Sequence, residues 1–484
     1  MVMIMRPLVW FRNDLRVRDN PALYHATREA RRGLVAVFFV TPAQWIAHDW
    51  GNTKVEFVIR NLEVLSRGLE KLAIPLLIER VADFDDIPEK ILQLAKRHHC
   101  DALFFNREYE FNEQRRDERV LSTFQQAGIP VHAFGDQTVI EPGALQTKSG
   151  HYYSVYGPFR KRFLERILQP AALEILPRPR RQAAIVCRPG KIPKRIPGFR
   201  LSRKIINQWP AGENAARSRL KRFLQGAAPV YGDNRDLPDK DGTSHLSPYL
   251  ALGVLSSREV LASAIAANRG RRQGGSTGLL TWIDQLIWRE FYRHVLFGFP
   301  HVSMGRPFRQ EGDSIPWRYE ELEFKAWCDG RTGLPIVDAG MRQLNETGWM
   351  HNRLRMIAAM FLTKHLLIDW RLGERYFMQH LVDGDLANNN GGWQWSASTG
   401  TDAAPYFRIF NPWTQSRRFD PKGDFVRRYV PELRHVPAAD LHNPDRMKRL
   451  PRTTLDYPLP VVEHRAARER AIRTFKVSLG RGRP

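Results

Sequence analysis

Leu34-Val35-Ala36-Val37-Phe38-Phe39-Val40 is a run of seven residues without one polar side chain. It is short for a buried helix and rich in β-branched and aromatic residues, so it reads as a strand covered on both faces. Four further runs read the same way: Leu8–Phe11, Leu76–Glu79, Ala102–Phe105 and Val131–Phe134. Between them lie amphipathic stretches, such as Phe57, Leu62, Leu65, Leu69 and Leu72, at helical spacing. Asn20-Pro21 supplies an N-cap and a proline at the first helical position. Strands that alternate with helices predict a parallel, helix-covered sheet, here a small doubly wound domain over 1–135.

The texture then changes. Residues 141–200 contain eight prolines, 13 basic residues and three acidic ones, which predicts an extended linker over 136–204. Tyr152, Tyr153, Tyr156 and Phe159 give that linker something to anchor with. From 205 to 484 helical periodicity takes over. Leu354, Ile357, Ala358, Phe361, Leu362 and Leu366 form a core-facing stripe, and an all-helical domain is expected.

The charge follows the same division. The 484-residue chain carries a formal net charge of +24. Residues 1–140 hold 19 basic and 19 acidic residues, so the excess falls wholly on the remainder, with 56 and 32. A chain this basic is expected to meet a polyanion, and nucleic acid comes first. A hydrophobic fraction of 43% and 13 tryptophans exclude a disordered basic tail. Cys100, Cys187 and Cys328 form no CxxC pair, so neither a disulfide framework nor a cysteine zinc site is expected. The start, Met1–Phe11, is broken by Arg6 and Pro7, so neither a signal peptide nor a membrane span is expected there. A soluble, cytoplasmic protein is expected.

The common nucleotide motifs, GxGxxG and GxxxxGK[ST], and the HExxH metal motif are missing. Asp383-Gly384-Asp385 begins like a calcium loop, but Ala387, Asn388 and Gln394 break the ligand pattern, and no metal site is expected. What stands out is Val382-Asp383-Gly384-Asp385-Leu386-Ala387-Asn388-Asn389-Asn390-Gly391-Gly392-Trp393-Gln394-Trp395. A polar turn that runs into two tryptophans is expected to be buried, and a polar ligand is one way to meet its hydrogen bonds. Asp241-Gly242-Thr243-Ser244-His245-Leu246-Ser247 is a second such segment, suited to a phosphate at a helix start or to simple capping.

Together these segments resemble the photolyase/cryptochrome family, most closely the bacterial class I cyclobutane pyrimidine dimer photolyases. The resemblance spans about Leu8 to residue 470. It rests on Trp10-Phe11-Arg12-Asn13-Asp14-Leu15-Arg16 with Asp19-Asn20, on Thr243–Ser247, on Trp288-Arg289-Glu290-Phe291-Tyr292, on Gly348–Arg353 and on Asp383–Trp395. It implies an α/β antenna domain, a long linker and a helical domain that holds FAD. By motif, Tyr231, Thr243, Ser244, His245, Leu246 and Ser247 would face the phosphates and ribityl chain. Asp383, Gly384 and Asp385 would contact the flavin, Arg355 would pair with Asp383, and Asn389 would sit near the flavin N5. Trp317, Trp370 and Trp393 match an electron-transfer chain, against the alternative of plain core packing.

The DNA-facing residues implied are Arg235, Gln285, Trp288, Asn352, Arg353, Met356, Trp395, Arg408 and Gln415. Their chemistry suits a base extruded from a duplex. Indoles cradle it, methionine adapts to it, and arginines meet phosphates or base edges. Asn112 and Glu113, with His48 beside them, match residues that hold a methenyltetrahydrofolate antenna; another pterin or a deazaflavin is the alternative. Those two residues also open a helix.

Two positions depart from the pattern. Gln285 stands where a glutamate is usual, and Ser303-Met304 replaces a cysteine-lysine pair that covers the folate. The activity implied is a carbon–carbon lyase that splits flipped-out dimers by electron transfer from photoexcited, reduced FAD. The expected partner is ultraviolet-damaged DNA, with no obligate protein partner and a monomeric chain. A cryptochrome-type photoreceptor is the alternative, and the short basic end Lys476–Pro484 leans against it. A nucleic-acid-binding protein without a chromophore is the third reading.

Overall fold

A computed structural model describes residues 6–202, 207–450 and 456–480. Parts of the expected N-terminal run (Met1–Met5) and of the basic end (481–484) lie outside these. The chain divides into two compact units. One comprises Met1–Pro229, Ser244–Pro300 and Val382–Gly384; the other comprises Val230–Thr243, His301–Leu381 and Asp385–Pro484.

The first unit is built on five parallel strands: β1 (Pro7–Phe11), β2 (Val35–Val40), β3 (Leu76–Arg80), β4 (Ala102–Asn106) and β5 (Val131–Phe134). Their order is β3-β2-β1-β4-β5, with Leu8 opposite Val35 on one side and Leu103 on the other. Every residue of β1, β2 and β4 is buried, as expected of strands covered on both faces. Asn20 caps the first helix, Pro21–Glu29, through the N–H of Leu23. The strand order reverses between β1 and β4, and in such sheets the ligand crevice lies outside the carboxyl ends at that point.

The linker is not extended throughout. Tyr156–Arg166 is a helix, seated by Phe159 and Phe163, both fully buried. Beyond it the chain runs along edge strand β3. Gln182 N donates to Leu72 O, and Gly190 N donates to Leu76 O, both at 2.8 Å. A Cβ at Gly190 would run into the backbone of Ile78, so only glycine lets the linker lie this close. The edge is thereby covered.

The second unit is helical around a core of Trp327, Trp370, Phe377 and Trp393. The expected stripe from Leu354 to Leu366 is buried in full, but not as one α-helix. Asn352–Met360 is α-helical and Phe361–Leu366 continues as a π-helix, which Leu367 ends at a φ of 55°. Among the described residues no helix is long and apolar enough to cross a membrane.

Candidate functional site

The polar stretch after Val382 was expected as a turn; it is instead a helix, Leu386–Ala397. Asparagine and glycine are poor helix formers, and two features override them. Asp385 is the N-cap, accepting from Asn388 N at 3.0 Å and from Asn388 Nδ2 at 2.7 Å. Trp393 anchors the middle of the helix in the core. The asparagines are then held from outside the helix. Asn389 Nδ2 donates to Glu374 O at 3.0 Å, Asn390 Nδ2 to Glu374 Oε1 at 3.3 Å, and Gln394 Nε2 to Asn390 Oδ1 at 2.8 Å. The side-chain amide oxygen of Asn389 has no protein partner among the described residues.

In the first unit, buried Gly384 is reached by Lys54, whose Nζ donates to Gly384 O at 2.7 Å and lies 3.6 Å from the Trp50 ring centre. Lys54 and Glu374 carry no signal in the sequence, because what they touch is set by the fold alone. Ser244–Ser247 lies in the same unit. His245 has a φ of 48°, and Ser247 opens a five-residue helix, Ser247–Ala251, that has no side-chain cap. The hydroxyls of Ser244 and Ser247, and that of Thr243 in the second unit, make no hydrogen bond to described protein groups. Tyr231 is buried at the head of the Tyr231–Asn234 helix. Arg355 Nε donates to Met350 O at 2.8 Å.

Trp317, Trp370 and Trp393 all belong to the second unit. Trp370 and Trp393 lie within one core cluster, and Trp317 packs at its margin, edge-on to Phe475 at 5.8 Å. Trp393 contacts Phe377 at 4.9 Å and Trp327 at 5.9 Å. The indole nitrogens of the three expected relay residues are buried and have no hydrogen-bond partner among the described residues, whereas Trp327 Nε1 donates to Ala358 O at 3.1 Å.

The expected DNA-facing residues fall into two groups. Gln285 and Trp288 are half-buried, one helical turn apart, on the Thr277–Gly298 helix of the first unit. In the second unit Asn352, Arg353 and Met356 share the start of the Asn352–Met360 helix. Arg353 Nη2 lies 2.9 Å from Asp236 Oδ1, and its guanidinium covers the Phe419 ring at 4.3 Å. Arg235 is 3.9 Å from the same carboxylate, so Asp236 ties the two arginines together. Trp395 and Gln415 are half-buried, Gln415 with a buried Oε1 that has no partner among the described residues, and Arg408 is exposed.

A cavity of about 520 Å³, counting space open to solvent, lies at the carboxyl ends of β1 and β2. Trp10, Phe38, Trp45, Trp50 and Phe84 form aromatic walls, and Arg12, Arg116, His48, Glu108 and Glu113 supply polar groups. Glu113 Oε1 is 3.4 Å from His48 Nδ1. Burial, then Glu110 and Glu108, push the Glu113 carboxyl well above its ordinary range. Burial, then Lys54 and Arg116, pull His48 down to about 4. Both shifts favour neutral forms, so the close approach of the two side chains is not an ion pair. His48 Nε2 accepts from Gln44 Nε2 at 2.7 Å and from Asn112 Nδ2 at 3.0 Å. Oε2 of Glu113 is buried without a hydrogen-bond partner among the described residues. Aromatic walls with one unpaired acid oxygen suit a planar heteroaromatic ring with an amide-like edge. Asn112 and Glu113 also lie in the first turn of the Phe111–Gln126 helix, as the helix-start reading expects. Met304 is exposed.

Residues 7–179 match the family described as DNA photolyase, and residues 282–477 match the FAD binding domain of DNA photolyase. The chain is 44% identical over 473 residues to the deoxyribodipyrimidine photo-lyase of Salmonella typhimurium LT2, covering 97% of this chain and 98% of the relative. Its fold is similar to a class III photolyase from Agrobacterium tumefaciens, with a TM-score of 0.86 and 35% identity over 99% of both chains. It is similar also to an archaeal photolyase from Sulfolobus tokodaii described with two FAD molecules, with a TM-score of 0.79 and 30% identity over 98% of this chain and 100% of the other.

Proposed function

This chain belongs to the DNA photolyase family, and from that premise we propose that it is a deoxyribodipyrimidine photo-lyase, a light-driven repair enzyme for cyclobutane pyrimidine dimers in DNA. It binds FAD through the helical region that matches the family's FAD binding domain. The chemistry that FAD would supply, bound in reduced form and excited by light, is an electron lent to the dimer to open its two ring bonds and then returned.

The observation that carries the reading is the buried polar helix from Leu386 to Ala397. Glu374 grips two of its asparagine amides, yet the side-chain amide oxygen of Asn389 is left for a ligand. The hydroxyls of Thr243, Ser244 and Ser247, unpaired to protein, fit the same cofactor. With Tyr231, His245 and Leu246 they would hold its phosphates and ribityl chain. Arg355, Asp383, Gly384, Asp385 and Asn389 would hold its ring system. Trp317, Trp370 and Trp393 would pass electrons to it, a role supported by their place in or against one core cluster.

The lesion would be met by Gln285, Trp288, Asn352, Met356, Trp395 and Gln415, and the DNA backbone by Arg235, Arg353 and Arg408. The aromatic cavity beside His48, Asn112 and Glu113 would take the antenna, 5,10-methenyltetrahydrofolate. Residues 1–135 would then serve as the antenna domain, 136–204 as the linker and 205–484 as the catalytic domain of a cytoplasmic monomer. The protein's part is to hold, orient and exclude water, since the bond-breaking belongs to the cofactor.

Dimer-containing DNA incubated with reduced enzyme should lose dimers in light and keep them in the dark. Equal dimer content under both conditions would sink the repair reading. Gln285 favours one second reading, a flavin photoreceptor that does not repair, because its neutral amide makes weaker contacts than a carboxylate. Such a protein would show light-dependent partner binding with no loss of dimers.

A further inference from the structure

Trp288 does not stand alone on its helix. The ring of Tyr156, the first residue of the linker helix, lies flat on the indole with centroids 3.8 Å apart and an interplanar angle of 7°. The Tyr156 hydroxyl donates to Asp284 O at 3.0 Å, one turn back on the helix that carries Trp288. Arg160, a turn further along the linker helix, reaches the Asp284 carboxylate with Nε at 2.6 Å. Phe291 closes the edge, 5.9 Å from Tyr156 and 5.7 Å from Trp288. The linker helix is itself fixed by buried Phe159, packed on Phe291 at 5.3 Å.

We propose that Tyr156 is a positioning residue for lesion recognition. It holds the Trp288 indole in one plane so that the opposite face is presented to the extruded pyrimidines. This rests on the reading of Trp288 as a lesion contact. A half-buried indole has two soft torsions, and each orientation lost on binding costs affinity. A tyrosine stacked on one face and tethered by its hydroxyl to the same helical turn removes that freedom beforehand. One face of Trp288 is thereby occupied by protein, which leaves a single face for a base. The ion pair of Arg160 with Asp284 is about one-third exposed and adds little energy of its own. Its use is to steer the tyrosine-bearing helix onto the turn that also carries Gln285.

The test uses full-length, flavin-loaded protein in the dark, a duplex with one thymine cyclobutane dimer, and the same duplex undamaged. Tyr156→Leu is expected to lower the ratio of dimer to undamaged affinity by about two- to tenfold, the range of one aromatic pair. Undamaged-DNA affinity and flavin absorption should not move. Tyr156→Phe keeps the stacking face and should retain most of the ratio; Tyr156→Met stands in if Tyr156→Leu unfolds. Adding Tyr156→Leu to Trp288→Ala should cost nothing further, because the tyrosine acts through the indole. A normal ratio in Tyr156→Leu and Tyr156→Met beside a reduced one in Trp288→Ala overturns the inference and spares the reading of Trp288. Additive losses in the double variant also overturn it. A normal ratio in Trp288→Ala overturns both.

Discussion

The six-membered ring of Trp393 rests against the bare α-carbon of Gly373, where a methyl group would overlap Cη2 and Cζ3. Gly373 lies one turn beyond Trp370 on the Trp370–His380 helix, so the missing side chain brings the polar helix close against the one that begins with Trp370. Gly373→Ala should therefore push Trp393 aside. A stability loss of about 1–3 kcal/mol is expected from overpacking, read by thermal or denaturant unfolding. Light-driven reduction of oxidised flavin should slow as well, as in Trp393→Phe, while dimer splitting by chemically reduced enzyme persists. Normal photoreduction in both variants would remove Trp393 from the electron route.

Asp385 both caps a helix and faces the proposed cofactor, and two substitutions separate these roles. Asp385→Ala removes the acceptor for Asn388 N and should cost about 0.5–2 kcal/mol of stability. Asp385→Asn keeps a capping oxygen and should restore most of that. If flavin retention after gel filtration falls in Asp385→Ala and recovers in Asp385→Asn, the cap is what matters. If both lose flavin, the charge acts on the cofactor directly.

Gln285 is the position where a charge would help most. A hydrogen bond to a carboxylate is worth roughly 1 kcal/mol more than one to an amide, or about fivefold in an equilibrium. Gln285→Glu should raise discrimination for dimer-containing DNA by about that factor, measured by competition binding, with flavin absorption unchanged. Lower discrimination would mean that the lesion face of this chain is built for a neutral partner.

Much of this was legible in the sequence, and the failures have a common cause. Val131–Phe134 and the other strands announce themselves because each is a short apolar run whose neighbours along the chain decide its state. The Asp385–Ala397 segment misleads because its composition is that of a turn, while its helix depends on a cap and a buried tryptophan. Lys54 and Gly384 are 330 positions apart, and no local pattern links them. Tyr156 is visible as an aromatic anchor, but its stack on Trp288 is a product of folding alone.

Glu290 gives a pH dependence of defined sign. Its carboxylate Oε2 accepts from Val139 N at 2.8 Å, and His294, one turn on, is 3.0 Å from Ile140 O, so the pair grips the chain entering the linker. Burial pushes Glu290 up to about 7, against the opposing pull of Arg289 and Arg293. A carboxyl raised in the folded state contributes stability that is fully present below the unfolded value near 4.5. That contribution is lost as pH rises toward 7. Glu290→Gln keeps the acceptor and removes the titration. Its stability relative to the parent should rise between pH 4.5 and 8.5 by on the order of 3 kcal/mol, read by urea unfolding. The His294 contribution cancels in this difference. A difference that stays flat with pH would show that Glu290 is already ionised in the folded protein.

Arg408 separates DNA affinity from lesion specificity. It is exposed, and its side chain has no partner among the described residues, unlike Arg353, which Asp236 already holds. A free guanidinium in the basic part of the chain is suited to a phosphate, and losing one phosphate contact lowers the salt slope of binding by about one. Arg408→Ala should weaken damaged and undamaged DNA by the same factor and flatten the dependence of affinity on salt. Arg353→Ala should differ, because it also strips Asp236 of its partner and uncovers Phe419. If Arg408→Ala instead weakens only dimer-containing DNA, Arg408 reads the lesion rather than the backbone, and the excess of positive charge must act elsewhere.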